Sequence, residues 1–539
     1  MLCMTSLISK MFKCKLFIYF LMFYSSCVVG KHNILIIISD DLRPALGCYG
    51  DKNAYTPSVD ALSQESFIFL NAFAQQALCA PSRNSLLTSR RPDTLHLYDF
   101  YSYWRDVAGN FTTLPQYFRE HGYYTKSVGK VFHPGISSNW SDDQPYSWSS
   151  TPYHPPSQAY MNAPVCSREG QEGLHSNLVC PVTPDQQPGG SLPDLESLQE
   201  AKRFLQDWSV GEERGQNFLL AVGFHKPHVP LKYPRKYLSH HPLANVSLPP
   251  NNWPVLLPSV AWNPWTDVRM RDDIASLNIP FPFGRMPDEW SRLIRQSYYA
   301  AVSYVDDLIG KLIHELRTTN LYSNTIIVLL GDHGWSLGEH GEWSKFSNYE
   351  LAVRVPLLLR VPGLTDRTAV MRSIQAPVEL LDLFPTLVDV AGLPRLPRCP
   401  RPSHSVTTCT EGASLLPVIY TSLVKNETVT DIGKPAVSQY PRPGIYPTSH
   451  PNSDKPRLRE VRYMGYSLRT AHYRYTEWPA WKGTPLWTQM AGTELYDHSI
   501  DPDENINLAD REAFRDIRLA LSAKLRALVG ATVSLSKQD

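Results

Sequence analysis

The sequence predicts an α/β fold: a large, mostly parallel central sheet flanked by helices, followed by a smaller C-terminal α+β subdomain with an antiparallel sheet. Three observations carry this. The runs "NILIIISDD" (33–41), "NFLLAVGFHKPH" (217–228) and "NTIIVLLGDHG" (324–334) are apolar without alternation, as strands buried on both faces of a parallel sheet are. They are interleaved with helical segments, which is the order of a layered α/β protein. Beyond a polar, Pro-rich stretch at 425–455, "MGYSLRTAHYRYTEW" (464–478) alternates instead, as an antiparallel hairpin does.

In chain order, Lys10, Lys13 and Lys15 precede an apolar run from Leu16 to Tyr24, and small residues follow. That is the layout of a cleaved signal peptide over residues 1–30, and the run is too short for a membrane span. No other stretch is apolar enough to cross a bilayer. Residues 56–65 read as a helix with Thr56 as N-cap and Pro57 in the first turn. Residues 66–73 return as a strand, and a helix opens just after Cys79 (80–90). A helix at 113–122 stops at Gly122 and is followed by a strand at 123–130. Residues 134–190 form a long excursion, then a helix runs over 194–208. A 288–317 helix presents Ile294, Tyr298, Ala301, Val305, Leu308 and Leu312 on one face. Residues 378–392 read as a helix bent at Pro385, and 514–530 as a closing amphipathic helix.

The chain has 539 residues, 42% of them apolar, and a net charge of +1. That allows a large core and excludes a disordered chain. The charge balance argues against a nucleic-acid partner, so any anion recognition is local. Without the leader, six cysteines remain. The close pairs Cys166 with Cys180 and Cys399 with Cys409 suggest disulfides of an oxidising compartment, and Cys48 and Cys79 are left over. Sequons at Asn110, Asn139, Asn245 and Asn426 fit secretion.

In open α/β sheets, ligands bind beyond the carboxyl ends of the strands. Asp40 and Asp41 end one strand, Asp332 and His333 another, His225 a third and Lys130 a fourth. Three carboxylates and an imidazole suit a divalent cation, and their oxygen-rich character favours Ca²⁺ or Mg²⁺. Cys79 precedes a helix whose free N–H groups favour anions, and Arg83 lies one turn further in. Thiol nucleophile, metal ligand and core residue all remain open for this cysteine. Together these groups suit a tetrahedral oxyanion, with Lys130, His133, His225 and Lys345 around it.

"CAPSR" (79–83) resembles the signature of the sulfatase family. So, in family order, do the Asp-Asp after the first strand, "GKVFHPG" (129–135), "FHKPH" (224–228), "DHGWSLGEHGEWSK" (332–345) and "ELYDHSIDPDENINLA" (494–509). The resemblance spans about residues 32–510. It implies an alkaline-phosphatase-like sandwich with a catalytic domain at 31–435 and a C-terminal subdomain at 436–539. It also implies that Cys79 is oxidised to Cα-formylglycine by the formylglycine-generating enzyme during secretion. One Ca²⁺ would be held by Asp40, Asp41, Asp332 and His333 together with residue 79.

In the implied mechanism, the hydrated aldehyde attacks sulfur and His225 protonates the leaving sugar oxygen. Lys130, Lys345 and Arg83 stabilise the equatorial oxygens, and His133 acts as the base that re-forms the aldehyde. Finer features, "DDLRPALGCYGD", "YDFYSYWR" and "SQYPRP" among them, resemble the branch that removes the 2-O-sulfate of non-reducing-end L-iduronate. Its substrates are the sulfated glycosaminoglycans heparan sulfate and dermatan sulfate, degraded in the lysosome. Trp335 and Phe346 are then expected as walls of the substrate pocket. Lys345 beside them is expected to read the sugar carboxylate as well. Two positions depart from the pattern: Ser89 replaces a glycine of the signature, and Phe346 a tyrosine of the branch. The alternatives are a sulfatase of different sugar preference and an inactive glycan-binding relative.

Overall fold

Strand β1 (Asn33–Asp40) runs through the middle of a seven-stranded sheet and is buried along its whole length. The computed structural model describes residues 32–533 except 168–171, 212–214, 251–253, 367–371 and 401. The expected signal peptide lies outside the described residues. Leu35 and Ile37 of β1 face one core, and Ile34, Ile36 and Ile38 the other. A strand sandwiched in this way has no polar face, which is why the sequence shows no alternation.

The remaining elements follow as α1 (Pro57–Ser63), β2 (Phe67–Phe69), α2 (Cys79–Thr88), α3 (Leu114–Glu120), β3 (Tyr124–Gly129), α4 (Pro193–Val210), β4 (Phe218–Pro227), α5 (Asp288–Thr318), β5 (Thr325–Gly331), β6 (Leu357–Arg360), β7 (Arg372–Ile374) and α6 (Leu383–Val390). The sheet order is β7-β2-β6-β5-β1-β4-β3. The half formed by β5, β1, β4 and β3 is parallel. β6 is antiparallel to both of its neighbours, and β7 runs parallel to β2. The sheet is therefore mixed, with its parallel half carrying the strand ends singled out above. α4 and α5 pack on one face; α2, α3 and α6 pack on the other.

Several local expectations are corrected. Thr56 does not cap α1 through its side chain; its Oγ1 accepts from the Gly47 N–H at 2.9 Å. The first-turn N–H groups of Ser58 and Val59 are instead bound by Asp306, from α5, at 3.0 and 2.8 Å. The 66–73 strand divides, because Phe67–Phe69 joins the large sheet while Ala72–Phe73 joins a separate three-stranded one. The segment 378–392 opens with a short strand and a 3-10 turn before α6. Pro385 falls in the first turn of α6, where its missing N–H has no intrahelical partner to lose. Helix α5 buries its predicted stripe but also Tyr299, Val302 and Ile309, so it is covered on more than one side.

The C-terminal sheet comprises β8 (Ala436–Arg442), β9 (Tyr463–Arg469), β10 (Tyr473–Trp481) and β11 (Pro485–Asp497), all antiparallel. Helix α7 (Arg515–Val533) closes over it and shares a core of Leu468, Tyr475, Leu495, Leu521 and Leu525. Both expected disulfides are present, and Cys48 and Cys79 are free. The four sequon asparagines are exposed. No helix among the described residues is long and apolar enough to cross a membrane.

Candidate active site

The parallel half of the sheet delivers its polar residues to one edge. At the end of β1 the register shifts between Ser39 and Asp40, and Asp41 adopts a left-handed φ of 63°. Asp41 thereby turns back toward the strand end, held by its N–H to Asp332 Oδ1 at 3.0 Å and by Tyr298 Oη donating to its carbonyl at 2.7 Å. Lys130 follows β3 where two glycines meet. A Cβ on Gly223 would lie 1.9 Å from the Lys130 carbonyl oxygen, so only glycine lets the two strands close there.

Helix α2 brings Cys79 to the same edge as its first residue. All ten of its residues are buried, and several of its polar side chains are bonded within the protein. Ser82 Oγ donates to the Asp332 carbonyl, and Asn84 accepts from Trp104 Nε1 at 2.8 Å. Ser89 ends the helix at a left-handed φ of 52°, a conformation that explains a glycine in the signature. Its hydroxyl donates to the Leu381 carbonyl at 2.7 Å and accepts from the Gly412 N–H at 3.1 Å, anchoring the helix end.

Ligand atoms of Asp40, Asp41, Cys79 and His333 all lie within 4.8 Å of one another. Cys79 Sγ is 3.3 Å from Asp40 Oδ1 and 3.3 Å from His333 Nε2. Lys345 Nζ sits 3.1 Å from the same sulfur and 2.6 Å from Asp41 Oδ1. Lys130 Nζ pairs with Asp40 Oδ2. Burial raises the Asp40 carboxyl, but Lys130, His228, Arg83 and Lys345 outweigh it and hold the group well below the usual range. Burial, opposed by Lys345 and reinforced by Asp40, pushes Asp41 up to about 7. Its Oδ2 is buried with no hydrogen-bond partner among the described residues. Crowded carboxylates with an orphaned oxygen are relieved by a cation, so the donor set fits a hard divalent ion.

Other assignments change. Asp332 is not one of the four converging ligands: its Oδ1 accepts from the Asp41 and His333 N–H groups, and its Oδ2 takes Arg83 Nε at 2.8 Å. Arg83 is fully buried, donating also to the Lys130 and Val131 carbonyls. Arg83 and Asp332 therefore stand behind the ligands and hold them in place. Trp335 and Phe346 are 2% and 1% exposed and belong to packed cores. They flank Lys345, whose Nζ lies 5.8 and 5.9 Å from their ring centroids, and do not line the cleft. Lys345 is occupied by Asp41 and Cys79, which removes it as a reader of the sugar carboxylate.

The cleft itself lies beside Asp40 and Lys130, and is lined by His225, Lys226 and His228 from the β4 end and by parts of the 157–193 excursion. His225 Nδ1 is 3.1 Å from Asp194 Oδ1, which also accepts the His225 N–H at 2.7 Å. Burial raises Asp194, but its bonds to His225 win and keep it ionised, below its usual range. A carboxylate only accepts, so Nδ1 carries the proton and Nε2 is left for chemistry. Asp194 is a positioning residue that sequence reasoning missed, because a residue opening a helix reads as an ordinary first-turn acid. His228, 4.0 Å from Asp41 Oδ2, was missed as well, although it stands in the quoted "FHKPH". His133 packs its ring 4.5 Å from Phe100, and its Nδ1 lacks a partner among the described residues. Burial and then Lys130 hold it well below its ordinary pKa, which favours the neutral ring.

A family model described as Sulfatase matches residues 32–393. The chain belongs to the sulfatase family. It is 49% identical over 507 residues to the iduronate 2-sulfatase of Mus musculus, covering 88% of this chain and 90% of that protein. It is 47% identical over 506 residues to the iduronate 2-sulfatase of Homo sapiens, with the same coverage. Among solved structures, the phosphonate monoester hydrolase of Agrobacterium radiobacter superposes with a TM-score of 0.67 at 19% identity, covering 92% of this chain and 95% of that one. That likeness shows the fold. As a sulfatase the protein is a sulfuric ester hydrolase.

One consequence concerns Asp194. In Asp194→Asn the amide presents an N–H as readily as a carbonyl to His225, so the ring loses its fixed tautomer. Sulfatase kcat is expected to fall by about 10²-fold with KM little changed. An alkaline limb of the pH–rate profile, the limb that reports a general acid, that shifts in the variant distinguishes this from a purely structural role, which would leave the profile's shape alone.

Proposed function

We propose that this sulfatase removes the 2-O-sulfate of non-reducing-end L-iduronate in heparan sulfate and dermatan sulfate, acting in the lysosome after passage through the secretory pathway. The observation that carries the reading is the 47–49% identity to iduronate 2-sulfatases over 88% of the chain. The paired cysteines and the exposed sequons at Asn110, Asn139, Asn245 and Asn426 support passage through that pathway, with glycans on those asparagines.

Cys79 is proposed to be converted to formylglycine by the formylglycine-generating enzyme; the sulfur position then marks where the aldehyde carbon's oxygens would lie. Asp40, Asp41 and His333 would hold one Ca²⁺ beside that position, with Asp332 steadying them from behind. When present, the ion supplies Lewis-acid polarisation and the hydrated aldehyde supplies the attacking oxygen. The chain's own residues do the rest. Burial lowers Lys130 and Lys345, but Asp40 and Asp41 respectively outweigh it, so both ammonium groups stay charged for the sulfate oxygens. His225, oriented by Asp194, protonates the sugar oxygen as the S–O bond breaks. His133, neutral, accepts the proton released when sulfate departs. The net reaction adds water, freeing the sugar hydroxyl and sulfate.

The test is kinetic. A 2-O-sulfated iduronate disaccharide is expected to be hydrolysed far faster than a 6-O-sulfated hexosamine. Treatment with a chelator is expected to abolish the activity and Ca²⁺ to restore it. Equal rates on the two sugars would overturn the sugar assignment, and full activity of a metal-free preparation would overturn the ion.

A further inference from the structure

Loss of Lys345 to the catalytic centre leaves the rest of the substrate's charge unread, and a strap from the C-terminal subdomain brings two free cations to the same neighbourhood. The strap is Asp454–Leu458, in the connection between β8 and β9. It is anchored at both ends. Tyr440 Oη donates to the Asp454 carbonyl at 2.8 Å, and the Asp267 N–H donates to Asp454 Oδ2 at 3.2 Å. At the other end the Leu458 N–H donates to Asp99 Oδ2 at 2.9 Å, and Asp99 Oδ1 accepts from the Tyr101 N–H at 2.8 Å. The acid of the strap, Asp454, points inward and is fully buried, while Lys455 is half-buried and Arg457 exposed.

Each cation rests on an aromatic ring that leads to a catalytic side chain. Lys455 Nζ lies 5.5 Å from the Phe346 ring centroid, and that ring also carries Lys345 Nζ at 5.9 Å. The Arg457 guanidinium lies 4.5 Å above Tyr101, next to Phe100, whose ring packs 4.5 Å from His133. Neither the ammonium nor the guanidinium makes a hydrogen bond or ion pair among the described residues. Cation–π contact fixes their position but leaves their donors open. Positioned, unpaired cations near a site for an anionic sugar are receptors for further negative charge: half-buried Lys455 is only partly hydrated, and exposed Arg457 is held in place with its planar fork open to a carboxylate or sulfate.

We propose that Lys455 and Arg457 are specificity residues of this sulfatase, reading an anionic group of the glycan other than the sulfate that is cleaved. This rests on the reading of the substrate as a sulfated, carboxylated glycan. The group is either the carboxylate of the terminal uronate or a sulfate on the adjoining sugar, which share the chemistry the two cations offer.

The experiment compares the wild type with Lys455→Met and Arg457→Met on four 2-O-sulfated uronate disaccharides. The carboxylate is intact or reduced to the alcohol, and the adjoining sugar is sulfated or not. In the wild type, removing the recognised charge is expected to lower kcat/KM by about 10- to 100-fold, mainly through KM. In the variant that has lost the reader, that discrimination is expected to collapse, and Lys455→Arg to retain it. The arm that collapses names the anion. Discrimination unchanged in both variants on every arm would overturn the proposal. If either methionine variant fails to fold, as judged by its thermal unfolding, the glutamine substitution takes its place.

A second measurement separates this proposal from the sugar assignment. Binding of an intact heparan sulfate oligosaccharide to Cys79→Ala is compared with and without Lys455→Met and Arg457→Met. Weakening of about tenfold or more in the combined variant supports the strap as a reader whichever sulfate is cleaved. An unchanged Kd would overturn it, even if the uronate disaccharides prove to be the substrates.

Discussion

Cys79→Ala is expected to abolish turnover, by about 10⁴-fold or more, while leaving the protein folded and secreted. Sγ is the point on which Asp40, His333 and Lys345 converge at 3.3, 3.3 and 3.1 Å. No other described side chain occupies that point, so nothing replaces the nucleophile. The structural cost is small by comparison. Removing one buried sulfur costs on the order of 1 kcal/mol in lost burial and residual cavity. Sulfate-ester hydrolysis and secretion level would be measured together, with mass spectrometry of the residue-79 peptide from the wild type. Retention of more than a few per cent of activity by the variant, or an unmodified thiol at Cys79 in fully active enzyme, would remove the mechanism proposed here.

Arg83→Met is expected to damage stability and activity together. The guanidinium is wholly buried, donating to Asp332 Oδ2 at 2.8 Å and to the Lys130 and Val131 carbonyls, with Asp40 Oδ1 3.5 Å away. Methionine of similar volume fills the space but leaves the buried Asp332 carboxylate without its arginine and Asp40 with Lys130 as its remaining close cation. Removing one member of a buried pair costs about 3–5 kcal/mol, well above the value of a surface bridge. A lysine does not substitute, because a single ammonium cannot span the fork of acceptors. Denaturant unfolding of the wild type, Arg83→Met and Arg83→Lys checks this. A midpoint unchanged in Arg83→Met would mean that Arg83 acts on substrate, as the sequence suggested, and not on the scaffold.

The candidate site was legible to an unusual extent because each part is local in the chain. Asp40 with Asp41, and Asp332 with His333, are adjacent residues that close buried strands. A parallel sheet necessarily brings such ends to one edge. Cys79 and Arg83 are one helical turn apart. What escaped was pairwise and distant. Asp194 orients His225 across 31 residues of sequence, and Asp306 caps a helix 247 residues away. Nothing in either neighbourhood marks those partners. Lys345 looked available because a lysine between aromatic residues reads as a substrate contact. Only the packed arrangement reveals that Asp41 and the sulfur already hold it.

The sequence by itself determined the layered α/β architecture, the order of its central strands and helices, and the residues that gather at the sheet edge. Apolar periodicity, strand-terminal acids and a helix N-terminus are properties of short stretches of chain. The tertiary structure alone decided strand direction at β6, where a buried "LLLR" reads identically in either sense and which runs antiparallel within the mostly parallel sheet. It alone placed Trp335 and Phe346 in the interior and set Arg83 behind the carboxylates. It also laid the Asp454–Leu458 strap beside the catalytic domain. Those outcomes depend on which surfaces meet after folding. Burial and electrostatic pairing are properties of the assembled neighbourhood, and no single segment of the chain encodes them.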